Sequence, residues 1–346
     1  MSYSGVSKHL QKQYDRWQVL DHFIGRKKVF HLWKKKRLQF YEELTKELNQ
    51  KENGRTLYID ECHDLPAKEF VSKYVKKGKP VLFKGLAKNW GCCQKWSLDY
   101  FKELHGDDEI INVANNVGEV PIEKMTLAEI IDQILQGNSK YYRFYPLLKR
   151  HPEHIKDFDY NWLRNRRTTN VAEVFQVFIG AAGTETPIHN AGVCNLFVQA
   201  YGTKKWMLYP KNMISVIDPE PVVNFHRGAP FRKGEPFNPF NPDYETYPLY
   251  EKIDRYEVVL EQGDVLWNPP YMWHTVRNET DAIGVGYRWI DFPLNIRIDP
   301  VYGILDLFVK NPPIWKSIKM GKEDYNLVQY MERKEELENF LNSQSS

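Results

Sequence analysis

Along the first fifty residues, Trp33, Phe40, Tyr41, Leu44 and Leu48 recur at spacings that draw an apolar stripe, which predicts helix over residues 9–50. The basic runs Arg26–Lys28 and Lys34–Arg37 then fall on a solvated face. A nucleic-acid or anionic-lipid contact is the weaker reading, because Glu42, Glu43 and Glu47 follow at once. Asn53-Gly54 marks a turn. Leu57–Ile59 and Pro80–Phe83 read as strands around a helix Pro66–Val75, and Trp96–Leu104 and Met125–Leu135 as further helices. From Val171 the pattern shortens to β runs. Glu173–Ile179 is a buried strand, Gly180 and Gly183 bracket a bend, and Asn195–Ala200 and Lys204–Tyr209 make a hairpin. Residues 210–254 are rich in loops and proline. Tyr256–Leu260, Asp264–Trp267 and Ala282–Trp289 close the β region, and the chain returns to helix after Pro300, with apolar stripes in Asp306–Val309 and Leu327–Leu341.

Short strands parted by Gly and Pro turns predict a mainly β fold: a double-stranded β-helix (cupin or jelly-roll barrel) wrapped by N- and C-terminal α-helices. The expected division is 1–54 helical extension, 55–300 barrel and 301–346 C-terminal helical segment. A length of 346 residues suits one large barrel, whose core needs no disulfide. A net charge of +3 argues against a nucleic-acid partner. No apolar run approaches a membrane span, the first eight residues lack an apolar signal core, and the four cysteines form no CxxC pair. A cytoplasmic protein is therefore expected.

The chemistry concentrates in Thr186-Pro-Ile-His189-Asn-Ala191 and, 85 residues after His189, Trp273-His274. A lone histidine is more often a core residue. Two of them, each beside a proline-fixed corner (Pro187; Pro269-Pro270), read as metal ligands. A non-heme iron site normally takes two histidines and a carboxylate. The first two usually come as His-x-Asp or His-x-Glu, since residues i and i+2 of a strand share a face. Here that i+2 residue is Ala191. Glu185 has the right parity but lies roughly 13 Å away along an extended strand. Cys194 is soft, and Asn190 is neutral and on the opposite face. Lys204 is either a solvated strand-end charge or points inward to pair with a dicarboxylate, with Lys205 outward; a buried lysine needs an anion to keep its proton. Thr186 and Asn195 offer neutral hydrogen bonds to the same anion or to the metal's other ligands.

Four blocks make a specific resemblance. They are Phe178-Ile-Gly-Ala-Ala-Gly-Thr-Glu-Thr-Pro-Ile-His189, Asn195-Leu-Phe-Val-Gln-Ala-Tyr-Gly-Thr-Lys204-Lys-Trp-Met-Leu-Tyr-Pro210, Asn241-Pro-Asp-Tyr-Glu-Thr-Tyr-Pro248 and Gly263-Asp-Val-Leu-Trp-Asn-Pro-Pro-Tyr-Met-Trp-His274. Over roughly residues 55–315 the chain resembles the cupin-like (JmjC-related) iron(II)/2-oxoglutarate oxygenases, most of all their asparaginyl hydroxylase branch. The resemblance implies Fe(II), 2-oxoglutarate and O2 as cofactors. It implies His189 and His274 on iron, and Lys204, Thr186 and Tyr142 on the distal carboxylate. Asn195 would lie near the keto-acid end and Trp273 beside the metal. It also implies an amino-acid or polypeptide substrate and a homodimer through C-terminal helices. The chain departs at Ala191 and at Gly286 and Arg288, where the family usually carries a polar or aromatic pair. Arg288 is either a cation near the metal or a surface charge paired with Asp291. Three readings follow. In the first, chloride fills the position at Ala191, held by Arg288, in a radical halogenase. In the second, a hydroxylase takes water or a substrate carboxylate as third ligand, or Ala191 is an introduced mutation. In the third, a non-catalytic protein docks targets on the aromatic loop from Phe225 to Tyr250, with Phe237–Phe240 as its apolar candidate, whose simpler role is a lid.

Overall fold

The computed structural model describes residues 5–113, 122–145, 147–220, 226–229, 236–310, 313 and 315. Its strands are β1 (Thr56–Leu57), β2 (Asp60–Cys62), β3 (Val81–Phe83), β4 (Glu109–Val113), β5 (Ile122–Thr126), β6 (Tyr141–Tyr145), β7 (Val171–Gly180), β8 (Glu185–Ala191), β9 (Cys194–Tyr201), β10 (Lys204–Tyr209), β11 (His226–Gly228), β12 (Arg255–Leu260), β13 (Val265–Asn268), β14 (Trp273–Asn278) and β15 (Ala282–Ile290). One sheet runs β2-β3-β13-β9-β15-β7-β6, the other β1-β12-β10-β14-β8-β11, and β4 pairs with β5. The two large sheets face each other as the expected jelly roll.

Strand alternation sorts side chains into three cores. Between the sheets lie Tyr141, Phe178, Phe197, Leu266, Trp206, Leu208, Val276 and their neighbours. Behind the first sheet, Val177, Ile179, Leu196, Val198, Trp267, Val285 and Trp289 pack with Phe70, Phe101, Ile130 and Leu163 of the covering helices. Behind the second, Ile188, Met207, Tyr209 and Trp273 pack with Tyr14, Trp17, Phe40 and Leu44 of the N-terminal helices and with Tyr302 and Leu305. Each such burial of a Val, Leu or Phe is worth about 1.5–3 kcal/mol, so both sheets are gripped from outside as well as from between.

The N-terminal helix is two helices, α1 (Lys8–Ile24) and α2 (Arg26–Asn49), broken at Gly25, whose φ of +98° suits glycine. The second basic run is not uniformly solvated. Lys34–Lys36 are exposed, but Arg37 is buried and forks onto Asp21 at 3.1 and 3.2 Å. A planar guanidinium suits that bidentate contact. The helix expected from Met125 begins at Leu127, because Thr126 caps it in a capping box with Glu129 and Met125 belongs to β5. Asp306–Phe308 form only a short 3-10 turn, and the stripe at 327–341 lies outside the described residues.

Beneath the helices of the first sheet, His105 stacks on His151 at 3.6 Å and meets His154 Nε2 with its own Nε2 at 2.7 Å. His151 is tied to Asp108 and His154 to Asp157. Burial, then the neighbouring His151 and His154, lowers the pKa of His105. The unfolded chain therefore takes up a proton on this side chain at a higher pH than the folded one. Stability is expected to fall as pH drops below about 6.5, by at most about 1.4 kcal/mol per pH unit for one proton. Urea midpoints measured from pH 7.5 to 5 check this, and His105→Gln is expected to flatten the slope.

Candidate metal and keto-acid site

His189 and His274 are direct cross-strand partners in β8 and β14, and their ring centroids lie 4.2 Å apart. Each Nδ1 lies 2.8 Å from the carbonyl two residues earlier, Pro187 O and Met272 O. A neutral imidazole that donates through Nδ1 carries its lone pair on Nε2, the state a metal ligand requires. Trp206 stacks on the His274 ring at 5.3 Å, and Asn268 Nδ2 lies 3.4 Å from His274 Nδ1. Between Thr186 and His189 the register slips: two residues of β8, Pro187 and Ile188, oppose the single Thr275 of β14. Such a bulge suits proline, and it lets Thr186 and His189, three residues apart, share the inner face.

Deeper in the barrel Lys204 is 1% exposed. Its Nζ donates to Tyr141 Oη at 3.2 Å and lies 5.2–5.8 Å from the rings of Phe197, Tyr141 and Phe178. Thr186 is buried, and its Oγ1 accepts from Val276 N. Asn195 lies in β9 between Asn268 of β13 and Arg288 of β15. Among the described residues, Gln176 Oε1, Asn195 Oδ1 and Asn268 Oδ1 are buried acceptors without a protein donor, and Trp206 Nε1 is a donor without an acceptor. Each such atom costs about 1–3 kcal/mol if left unpaired. The chamber is thus built for a polar occupant, and a ferrous ion with a dicarboxylate fits its two imidazoles and its buried ammonium.

Arg288 also faces inward. Its guanidinium lies 5.4 Å from the Phe178 ring, and burial pushes its pKa down to about 10. Gly286 makes the room, since a Cβ there would stand 2.9 Å from Arg288 Nε and 3.0 Å from Asn195 Oδ1. Asp291 instead caps the helix Phe292–Ile298 through Leu294 N. Ala191 ends β8 opposite His226 of β11 in backbone register.

No Asp, Glu, Cys or His among the described residues completes a triad with the two histidines. Glu185 accepts from Asn238, Asn190 donates to Tyr271 O, and Cys194 lies in the outer core with its thiol pKa raised by burial. One further cluster of ligand types, His105, His151 and Glu153, sits outside the barrel. In it His105 Nε2 already meets His154 Nε2 and His151 Nε2 meets Asp108.

Two expectations are corrected by strand parity. Tyr142 points into the outer core, and Tyr141 takes its place at Lys204. Trp273 is turned away from the metal corner into the core beneath α1 and α2, and Trp206 packs on His274 instead. The spacing held a signal for Trp206, which is i+2 from Lys204. The Phe237–Phe240 segment is no exposed dock: Phe237 is buried 4.1 Å from the Tyr250 ring, and Arg277 covers Phe240.

Comparison with known proteins agrees with this architecture. The chain is 27% identical over 242 residues to Jumonji C domain-containing protein 5 of Drosophila melanogaster, which covers 65% of this chain and 58% of that protein. It is 24% identical to Lysine-specific demethylase 8 of Xenopus tropicalis, over 67% of this chain and 52% of the relative. It is 25% identical to the 2-oxoglutarate and iron-dependent oxygenase JMJD4 of Danio rerio, over 68% and 60%. The chain therefore spans somewhat over half the length of these relatives. No helix among the described residues is long and apolar enough to cross a membrane. The cupin-like domain matches residues 66–294, well over half of the sequence, and the chain belongs to that family.

Proposed function

We propose that this protein is an Fe(II)/2-oxoglutarate-dependent oxidoreductase acting on an unactivated C–H bond of an amino acid or polypeptide side chain, with a halide in the position that Ala191 leaves open. The observation that carries the proposal is the pairing of two inward imidazoles, both fixed through Nδ1, with a fully buried Lys204 on the same chamber. Bound iron and 2-oxoglutarate supply an oxidant strong enough to take a hydrogen atom from carbon, at the cost of decarboxylating the keto acid. His189 and His274 hold the metal. Lys204, Tyr141 and Thr186 neutralise and orient the distal carboxylate, and Asn195 and Asn268 offer acceptors near the histidines. The aromatic walls of Phe178, Phe197 and Trp206 exclude water, which strengthens each of these charge contacts.

Ala191 removes one negative charge from the usual ligand set, and Arg288 adds a positive one beside Asn195. Both changes favour a small anion. In halogenation, one O2, one 2-oxoglutarate, a C–H bond, chloride and a proton give succinate, CO2, water and a C–Cl bond. Similarity to a 2-oxoglutarate and iron-dependent oxygenase supports the second reading, oxygen insertion by a hydroxylase with water as the third ligand. The asparaginyl hydroxylase resemblance points the same way, toward a polypeptide substrate.

Anaerobic titration with Fe(II), 2-oxoglutarate and graded chloride separates these readings. The halide reading expects a chloride-dependent shift of the visible charge-transfer band and tighter keto-acid binding. Both effects are expected to vanish in Ala191→Asp. A band indifferent to chloride leaves a hydroxylase, and the absence of any band leaves a binding protein.

A further inference from the structure

Tyr271, three residues before His274, has φ +60°. A bulky side chain in the left-handed region costs on the order of 1–3 kcal/mol and persists only where its surroundings over-determine it. Here three tethers do so. Tyr271 N donates to Ala191 O at 3.0 Å, Asn190 Nδ2 donates to Tyr271 O at 3.3 Å, and Tyr271 Oη donates to Asp306 Oδ2 at 2.6 Å. Asp306 is fully buried and also accepts from Arg227, whose strand β11 pairs Arg227 with Asn190 and Gly228 with His189. The same carboxylate stands where a Cβ on Gly192 would come within 2.4 Å of it. Asp306 thus grips both metal-bearing strands from behind, β14 through the Tyr271 corner and β8 through Arg227 and the Ala191 carbonyl.

We infer that Asp306 and Tyr271 are positioning residues, a clamp that fixes the spacing of His189 and His274 in place of the rigidity that a third protein ligand would give. The inference rests on these histidines being the metal ligands. The turn after helix Pro300–Leu305 thereby becomes part of the metal site without touching the metal.

The test is Co(II) binding, followed by its visible d–d band, in the full chain. Tyr271→Phe removes only the hydroxyl and is expected to weaken Co(II) binding about 10-fold, the lower end for a lost outer-shell partner, and to alter the band shape. Tyr14→Phe is the control. It breaks a buried hydrogen bond to Asp218 in the same outer core, outside the set of bonds that joins Tyr271, Asp306 and Arg227. It is expected to lower Tm similarly while leaving Co(II) affinity within about twofold. Gly192→Ala, which crowds the clamp and keeps its donors, serves if Tyr271→Phe fails to fold, and is expected to weaken Co(II) binding too. Wild-type affinity and band in the corner variants overturn the inference, as does equal weakening by Tyr14→Phe. Failure of the wild-type chain to bind Co(II), or undiminished binding by His274→Ala, overturns the site assignment instead.

Discussion

Lys204→Ala is expected to raise the KM for 2-oxoglutarate by at least about 100-fold. Removing one partner of a buried ion pair costs about 3–5 kcal/mol, and every 1.4 kcal/mol is about tenfold in affinity. The neighbouring lysine does not share the pocket, because Lys205 points outward to Glu257. Lys204→Arg is not expected to rescue, since Phe178, Phe197 and Tyr141 wall the ammonium on three sides. The ligand-free variant is expected to keep or raise its Tm, because a desolvated cation has been removed from the interior. Succinate formation measured against 2-oxoglutarate concentration, together with a melting curve, checks both. A KM within about threefold of wild type removes Lys204 as the anchor.

His274→Ala is expected to abolish turnover and to weaken Fe(II) or Co(II) binding by more than about 100-fold. Loss of a mere outer-shell partner already costs about 10–100-fold, and the proposed site offers only two protein ligands among the described residues. The Trp206 stack and the Met272 carbonyl cannot substitute, as neither offers a lone pair at the position of the lost Nε2. Metal content after dialysis reads the effect directly. Retention of a full equivalent of metal would move the centre elsewhere.

Much of this chamber was legible because a strand has a period of two. His189, Lys204 and Asn195 fall on predicted strands, and parity alone separates Lys204 from Lys205. The same parity places Trp273 opposite His274. The resemblance suggested otherwise, and the geometry follows parity. Tyr141 and Tyr142 were not separable, since nothing in the run Tyr141–Tyr145 marks which tyrosine faces in until the pairing with Gly180 and Ile179 fixes the register. The β8 bulge was equally hidden. Thr186 and His189 have opposite parity in a regular strand and share a face only through the extra residue. Arg37 looked like part of a solvated run, because Asp21, its partner, comes within reach only after the chain reverses at Gly25. The Asp306 clamp joins residues 35 positions apart, a separation that no local pattern reports.

Both sheets are held from their outer faces, by a helical layer on one side and by α1, α2 and the region of Tyr302 on the other. Folding free energy is therefore stored mainly away from the reaction chamber. Inner-wall residues such as Arg288 and Gln176 can be exchanged with little threat to the scaffold, so one foundation can host successive chemistries as its lining drifts.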